Sequence, residues 1–121
     1  MEYIRQLRAL NDLQEEKEDI MQTVLEELEK KKEYLFDLIE AEKNFGLKIS
    51  RETLINLVEE AIKDLEVKIE IIRVNPYFKK LNGVKNRLIF EALKVASKGR
   101  RINLFLIFDD LINNLGNLRR Q

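Results

Sequence analysis

Leu54-Ile55-Asn56-Leu57-Val58-Glu59-Glu60-Ala61-Ile62-Lys63-Asp64-Leu65-Glu66-Val67-Lys68-Ile69-Glu70-Ile71-Ile72 places Leu54, Val58, Ile62, Leu65, Ile69 and Ile72 at steps of four, four, three, four and three. Such steps return a side chain to one side of an α-helix, so the segment is an amphipathic helix with a face to bury. Ser50 stands ahead of it as the N-cap, and Glu52 in its first turn meets the positive end of the helix dipole. Asn75-Pro76 sets its end, because proline disfavours helical geometry in the residue before it. One apolar stripe requires another to cover it, and the flanking sequence offers only elements of the same kind.

Upstream, the chain from Tyr3 to Lys43 holds no Pro or Gly, and Leu7, Leu10, Met21, Val24, Leu28, Leu35 and Leu38 share the a and d positions of one heptad register. One long helix is expected, with Asn44-Phe45-Gly46 supplying its C-terminal glycine. Gln14, Lys17 and Lys31 interrupt the seam, which favours a helix packed on other helices over an uninterrupted coiled coil. Asn11-Asp12, followed by Glu15, is an alternative cap for a fresh helix. Continuity is the expectation adopted.

Downstream, Pro76 suits the first position of a short third helix, Pro76 to Leu81, and Asn82-Gly83 reads as a turn. A fourth helix follows from Val84 to Ser97, burying Val84, Leu88, Ala92 and Val95 and ending at Gly99. The last segment, Ile102 to Leu115, carries Leu104, Phe105, Ile107, Phe108, Leu111, Ile112 and Leu115 ahead of Gly116. Ile102 to Phe108 alone also fits a buried strand, but no second strand exists to pair with it, so helix is expected. The expected fold is all-α: a small bundle of four to five helices forming a single domain over 1–121, with the two long helices as an antiparallel spine.

Composition narrows the function classes. Charged residues make up 36% and hydrophobic ones 45%, a balance that fits neither a disordered chain nor a membrane protein. The longest apolar run, Leu104 to Phe108, falls far short of the roughly 20 residues that span a bilayer. Met1-Glu2-Tyr3-Ile4-Arg5 lacks the apolar stretch of a secretory signal, so a cytoplasmic location is expected. Abundant Glu, Lys and Ile with four Gln and one Pro point to a thermophilic source, although ten Asn, including the labile Asn82-Gly83 pair, run against it. Cysteine and histidine are both absent, which removes disulfides, thiolate and imidazole metal ligation, and every Cys-His or Ser-His-Asp nucleophile. Glu15, Glu16, Glu18 and Asp19, or Asp109 with Asp110, remain as the carboxylates of a type that divalent ions take, and solvated helix faces are the plainer expectation. No metal, cofactor, small-molecule substrate or enzymatic activity is expected.

The charge is neutral in sum and divided by position. Residues 1–70 carry 11 Lys+Arg against 19 Asp+Glu, and residues 71–121 carry 11 against 3. The long-helix pair, 1–74, is therefore acidic and the compact segment, 75–121, basic. Ordinary soluble domains intersperse their signs, so either the two faces pair within or between chains, or the basic one meets an anionic partner. The first alternative makes the chain a non-enzymatic helical assembly subunit or adaptor that self-associates or binds a protein. For the second, Phe78 to Ala92 has the cadence of a helix-turn-helix with Gly83 in the turn and Lys85, Asn86 and Arg87 on the following helix. Lys79, Lys80, Lys94, Lys98, Arg100 and Arg101 widen this into a nucleic-acid-binding surface, although Lys79 occupies a position where such motifs prefer a small residue.

Overall fold

The computed structural model describes residues 2–74 and 78–120, with the side chains of 2–8, 18–74 and 78–117. Four helical rods run through them: α1 Glu2–Phe45, α2 Arg51–Ile71, α3 over 78–97, and α4 Arg101–Arg120. No strand occurs among the described residues, and Ile102 to Phe108 lies within α4.

The caps follow from local chemistry. α1 runs unbroken through Asn11-Asp12 and stops where Gly46, at φ +69°, donates its N–H to the Glu42 carbonyl at 3.0 Å. That left-handed turn is open to glycine without a steric penalty. Ser50 has extended geometry, and its Oγ accepts the Thr53 N–H at 3.1 Å, as expected of the N-cap of α2. α3 ends in a Schellman turn: the Gly99 N–H donates to the Ala96 carbonyl at 2.9 Å, the Arg100 N–H to the Val95 carbonyl at 2.9 Å, and Gly99 has φ +71°.

Every rod contributes to one core, with Met21, Leu28 and Leu35 meeting Leu54, Val58 and Leu65, then Leu81, Leu88 and Ala92, then Leu104, Phe108 and Leu115. The cross-contacts fix the directions. Lys31 of α1 reaches Asp64 of α2, and Arg87 of α3 reaches Asp110 of α4. Along α1, Lys32, Phe36 and Glu42 meet Asp109, Phe105 and Arg101 of α4, an ascending series against a descending one. The rods thus alternate in direction, as short connections between neighbouring helices require. The end of α1, the start of α2, the end of α3 and the start of α4 share one end of the bundle.

Four expectations are corrected. Asn82-Gly83 makes no turn: α3 begins at Phe78 and passes straight through Gly83. The proposed short helix and its successor are one helix, and the helix-turn-helix expected over Phe78 to Ala92 is absent. Leu81, Val84 and Leu88, all buried, span Gly83 at steps of three and four, and their burial outweighs the ~1 kcal/mol that a helix-interior glycine costs. Residues 75–77, including Pro76, lie outside the described residues. Gly116 likewise fails to end α4, which continues to Arg120 behind the buried Leu115. Ala96 is buried in α3 where Val95 was expected, and Val95 is half-buried. The reason is a π-helical turn, Leu88–Ala92. Leu88, Ala92 and Ala96 are separated by four residues each, more than an α-helix repeats, and the wider turn absorbs the excess so that all three face the core. Leu7 does not join the core but is exposed, and Leu38 is half-buried.

Lys31 occupies a seam position yet does no damage. Its side chain is 12% exposed and lies among Val24, Leu28, Ala61 and Leu65, while Nζ reaches Asp64 Oδ2 at 2.9 Å. The methylene stem fills the seam and the ammonium leaves it.

α1 outlasts the bundle. It has 44 residues against 21 in α2 and 20 in α4, and among the described side chains the first buried one is Ile20. Residues 2–19 form a helical arm that projects about 27 Å past the core.

Candidate functional site

The basic residues separate into two sets once their neighbours are known. Arg87 is committed internally: Nε donates to Glu91 Oε2 at 3.0 Å and an η nitrogen donates to Asp110. The Glu91 carboxylate, and then Asp110, raise this guanidinium's pKa above its ordinary value against the lowering effect of burial. Arg101 is held by Glu42, whose other oxygen accepts the Ile49 N–H at 2.9 Å, so one carboxylate ties α4 to the connection between α1 and α2. Lys80 is half-buried and engaged in the fold.

Lys79, Lys94, Lys98 and Arg100 are exposed and make no ion pair among the described residues. Lys79, Asn86, Phe90 and Lys94 follow one another at helical spacing along the outer side of α3, with Gly83 between the first two. Phe90 was not anticipated from the sequence; it is 75% exposed between Asn86 and Lys94. Lys85 is half-buried, and two residues of helix put it on the opposite flank of α3 from Arg87. The structure therefore unites Lys79, Asn86, Lys94, Lys98 and Arg100 and removes Arg87, Arg101 and Lys80 from the free set.

Three cations of the acidic half join the same end of the molecule. The Gly99 turn lies against Arg51, whose Cγ would stand 3.5 Å from a β-carbon placed on Gly99, and Lys43 and Lys48 flank the α1–α2 connection. Alternating helix directions bring these chain segments together, a consequence of topology rather than of any local motif.

The acidic face finds little cationic cover from within. Across that divide, Glu42 holds Arg101 from another helix, and Glu70 meets Arg73 three residues along the chain at 3.8 Å. Lys32 with Asp109, at 2.6 Å, runs the other way, and the same Nζ stands 5.3 Å from the centre of the Phe105 ring. Glu18, Asp19 and Glu29 are exposed. Glu15 and Glu16 lie outside the described side chains, as do Gln14 and Lys17 of the seam. Asp109 and Asp110 are each taken by a cation, Lys32 and Arg87, and among the described residues no three carboxylates gather as a metal site would require.

The arm is the remaining unusual surface. Every described side chain on it, 2–8 with 18 and 19, is exposed, including Tyr3 at 71% and Ile4 at 55%. Tyr3 and Leu7 prolong the heptad positions of Val24 and Met21, so the apolar face of the core continues onto the arm, where both side chains are exposed among the described residues. No described helix is long and apolar enough to cross a membrane.

Set against protein-family models, curated proteins and solved structures, the chain gives no match in any of the three comparisons.

Proposed function

We propose that this chain is a non-enzymatic assembly subunit or adaptor that associates, with itself or with a protein partner, through helix packing and complementary charged faces, the α1 arm being the contacting element. One observation carries this reading: an arm of helix beyond the core that presents Tyr3, Ile4 and Leu7 to solvent. An isolated helix of this length is marginal in water and gains its stability from covering an apolar face. Among the described residues few ion pairs join the carboxylates of 1–70 to the cations of 71–121, and this supports it further, because exposed charges of both signs remain for a second surface. The test is the mass of the protein in solution. The full chain is expected well above its 14.4 kDa, and Tyr3→Glu with Leu7→Glu is expected to return it to that mass without loss of the bundle's cooperative unfolding. A wild-type chain that stays at 14.4 kDa through high micromolar concentration overturns self-association and leaves only a different protein as the partner of the arm.

A second reading is favoured by Phe90. An exposed aromatic flanked by Asn86 and Lys94, with Lys79, Lys98 and Arg100 along the same helix and its end, suits single-stranded nucleic acid, whose bases stack on aromatic rings while cations meet the phosphates. Binding is then expected to fall steeply with salt. Phe90→Ala would cost roughly 1–3 kcal/mol of affinity, and Lys94→Glu with Lys98→Glu would abolish binding. Titration of labelled single-stranded and duplex DNA and RNA at several salt concentrations decides it, and no binding at low salt sinks it.

A further inference from the structure

We propose, building on the reading of α1 as the assembling element, that the partner of the arm is the same arm of a second copy, laid antiparallel about a two-fold axis. The sign pattern along the arm points this way. Residues 2–11 carry Glu2, Arg5 and Arg8, whereas 12–19 carry Asp12, Glu15, Glu16, Glu18 and Asp19 against Lys17 alone. Side by side in parallel, two arms would set Arg on Arg and acidic run on acidic run. Antiparallel, each Arg5 and Arg8 falls opposite the acidic run of the other copy, and the two-fold axis makes the match twice.

The apolar side and the length agree with the charge. Tyr3 and Leu7 share heptad positions with Val24 and Met21, so the arm's apolar side looks across the end of its own bundle. Full overlap of two arms of about 27 Å brings the start of each α1 to the other copy's bundle end. Val74 is 93% exposed just past the last turn of α2 there. Each arm thereby covers the apolar side of the other, in the space that the three shorter helices leave open. The chain's zero net charge places no long-range repulsion between copies.

The absence of cysteine makes the geometry directly measurable, since each introduced thiol is unique. Glu2→Cys and Asp19→Cys are prepared separately in the full chain, both at exposed positions. The expected result is a dimer in which mixed Glu2→Cys and Asp19→Cys copies cross-link readily. Like copies do not, because two residues numbered 2 stand about 26 Å apart along the paired arms. Arg5→Glu with Arg8→Glu is expected to raise the dimer dissociation constant at least ~tenfold, and adding Glu15→Arg with Glu16→Arg is expected to restore it. Cross-linking of like Glu2→Cys copies, in an oligomer that Tyr3→Glu with Leu7→Glu still dissociates, overturns the antiparallel arrangement and leaves α1 as the assembling element. A monomer at every concentration, or a dimer indifferent to Tyr3→Glu with Leu7→Glu, overturns the pairing of arms and self-association through α1 together.

Discussion

Gly83 and Gly99 belong to the same helical rod and answer to opposite requirements. Gly83 has helical geometry in the interior of α3, and a β-carbon there meets open space, so it contributes only the entropy cost of a flexible residue held in a helix. Gly83→Ala is expected to stabilise the protein by about 0.5–1 kcal/mol. Gly99 sits at φ +71°, where a side chain is strained, and its turn lies against Arg51. Gly99→Ala is expected to destabilise by at least about 1 kcal/mol. Thermal or urea unfolding of the two variants side by side checks both signs. Gly46, at φ +69°, falls in the second class, which is why the sequence marks the end of α1 correctly and misplaces a turn at Asn82-Gly83. A glycine signals a turn only where the apolar stripe also stops, and Leu81, Val84 and Leu88 cross Gly83 without a break.

At the scale of the element, the π-helical turn in α3 is an extra residue accommodated inside a helix. Deleting Phe90, which is exposed within that turn, would place the buried Leu81, Val84, Leu88 and the two alanines at steps of three, four, three and four, the natural repeat of an α-helix. That deletion is expected to leave a folded, cooperatively melting protein. Deleting Asn86, in the regular turns ahead of it, rotates everything beyond by about 100° and drives Leu88 out of the core. Circular dichroism through a melt separates the two outcomes. The caps at Ser50, Gly46 and Gly99 were readable because each depends on a few neighbouring residues. The π turn was not, since a run of four-residue steps looks like loose periodicity until the core it faces is known. Tyr3 and Ile4 were equally opaque: their heptad pattern is the same whether other helices reach that far or stop short.

For the whole molecule, neighbouring rods pair across short stretches of chain and α1 pairs with α4 across more than half of it. Lys31 and Asp64 are 33 residues apart, Arg87 and Asp110 are 23, and Lys32 and Asp109 are 77. Bringing the last pair together costs more chain entropy, roughly 0.6 kcal/mol for each doubling of the loop. The hairpins α1–α2, α2–α3 and α3–α4 are thus expected to lead the folding nucleus, and the meeting of Phe36 with Phe105, ring centres 6.2 Å apart, is expected after the main barrier. Phe105→Ala, half-buried, is expected to destabilise by about 1–2 kcal/mol, less than a fully buried Phe would, and to appear almost wholly as faster unfolding. Leu65→Ala, in the α1–α2 hairpin, is expected to slow folding instead, and stopped-flow chevrons distinguish the two. With that outcome the seam between α1 and α4 is the clasp of the bundle: the last contact made, the first released, and the one that sets how long the folded state lasts.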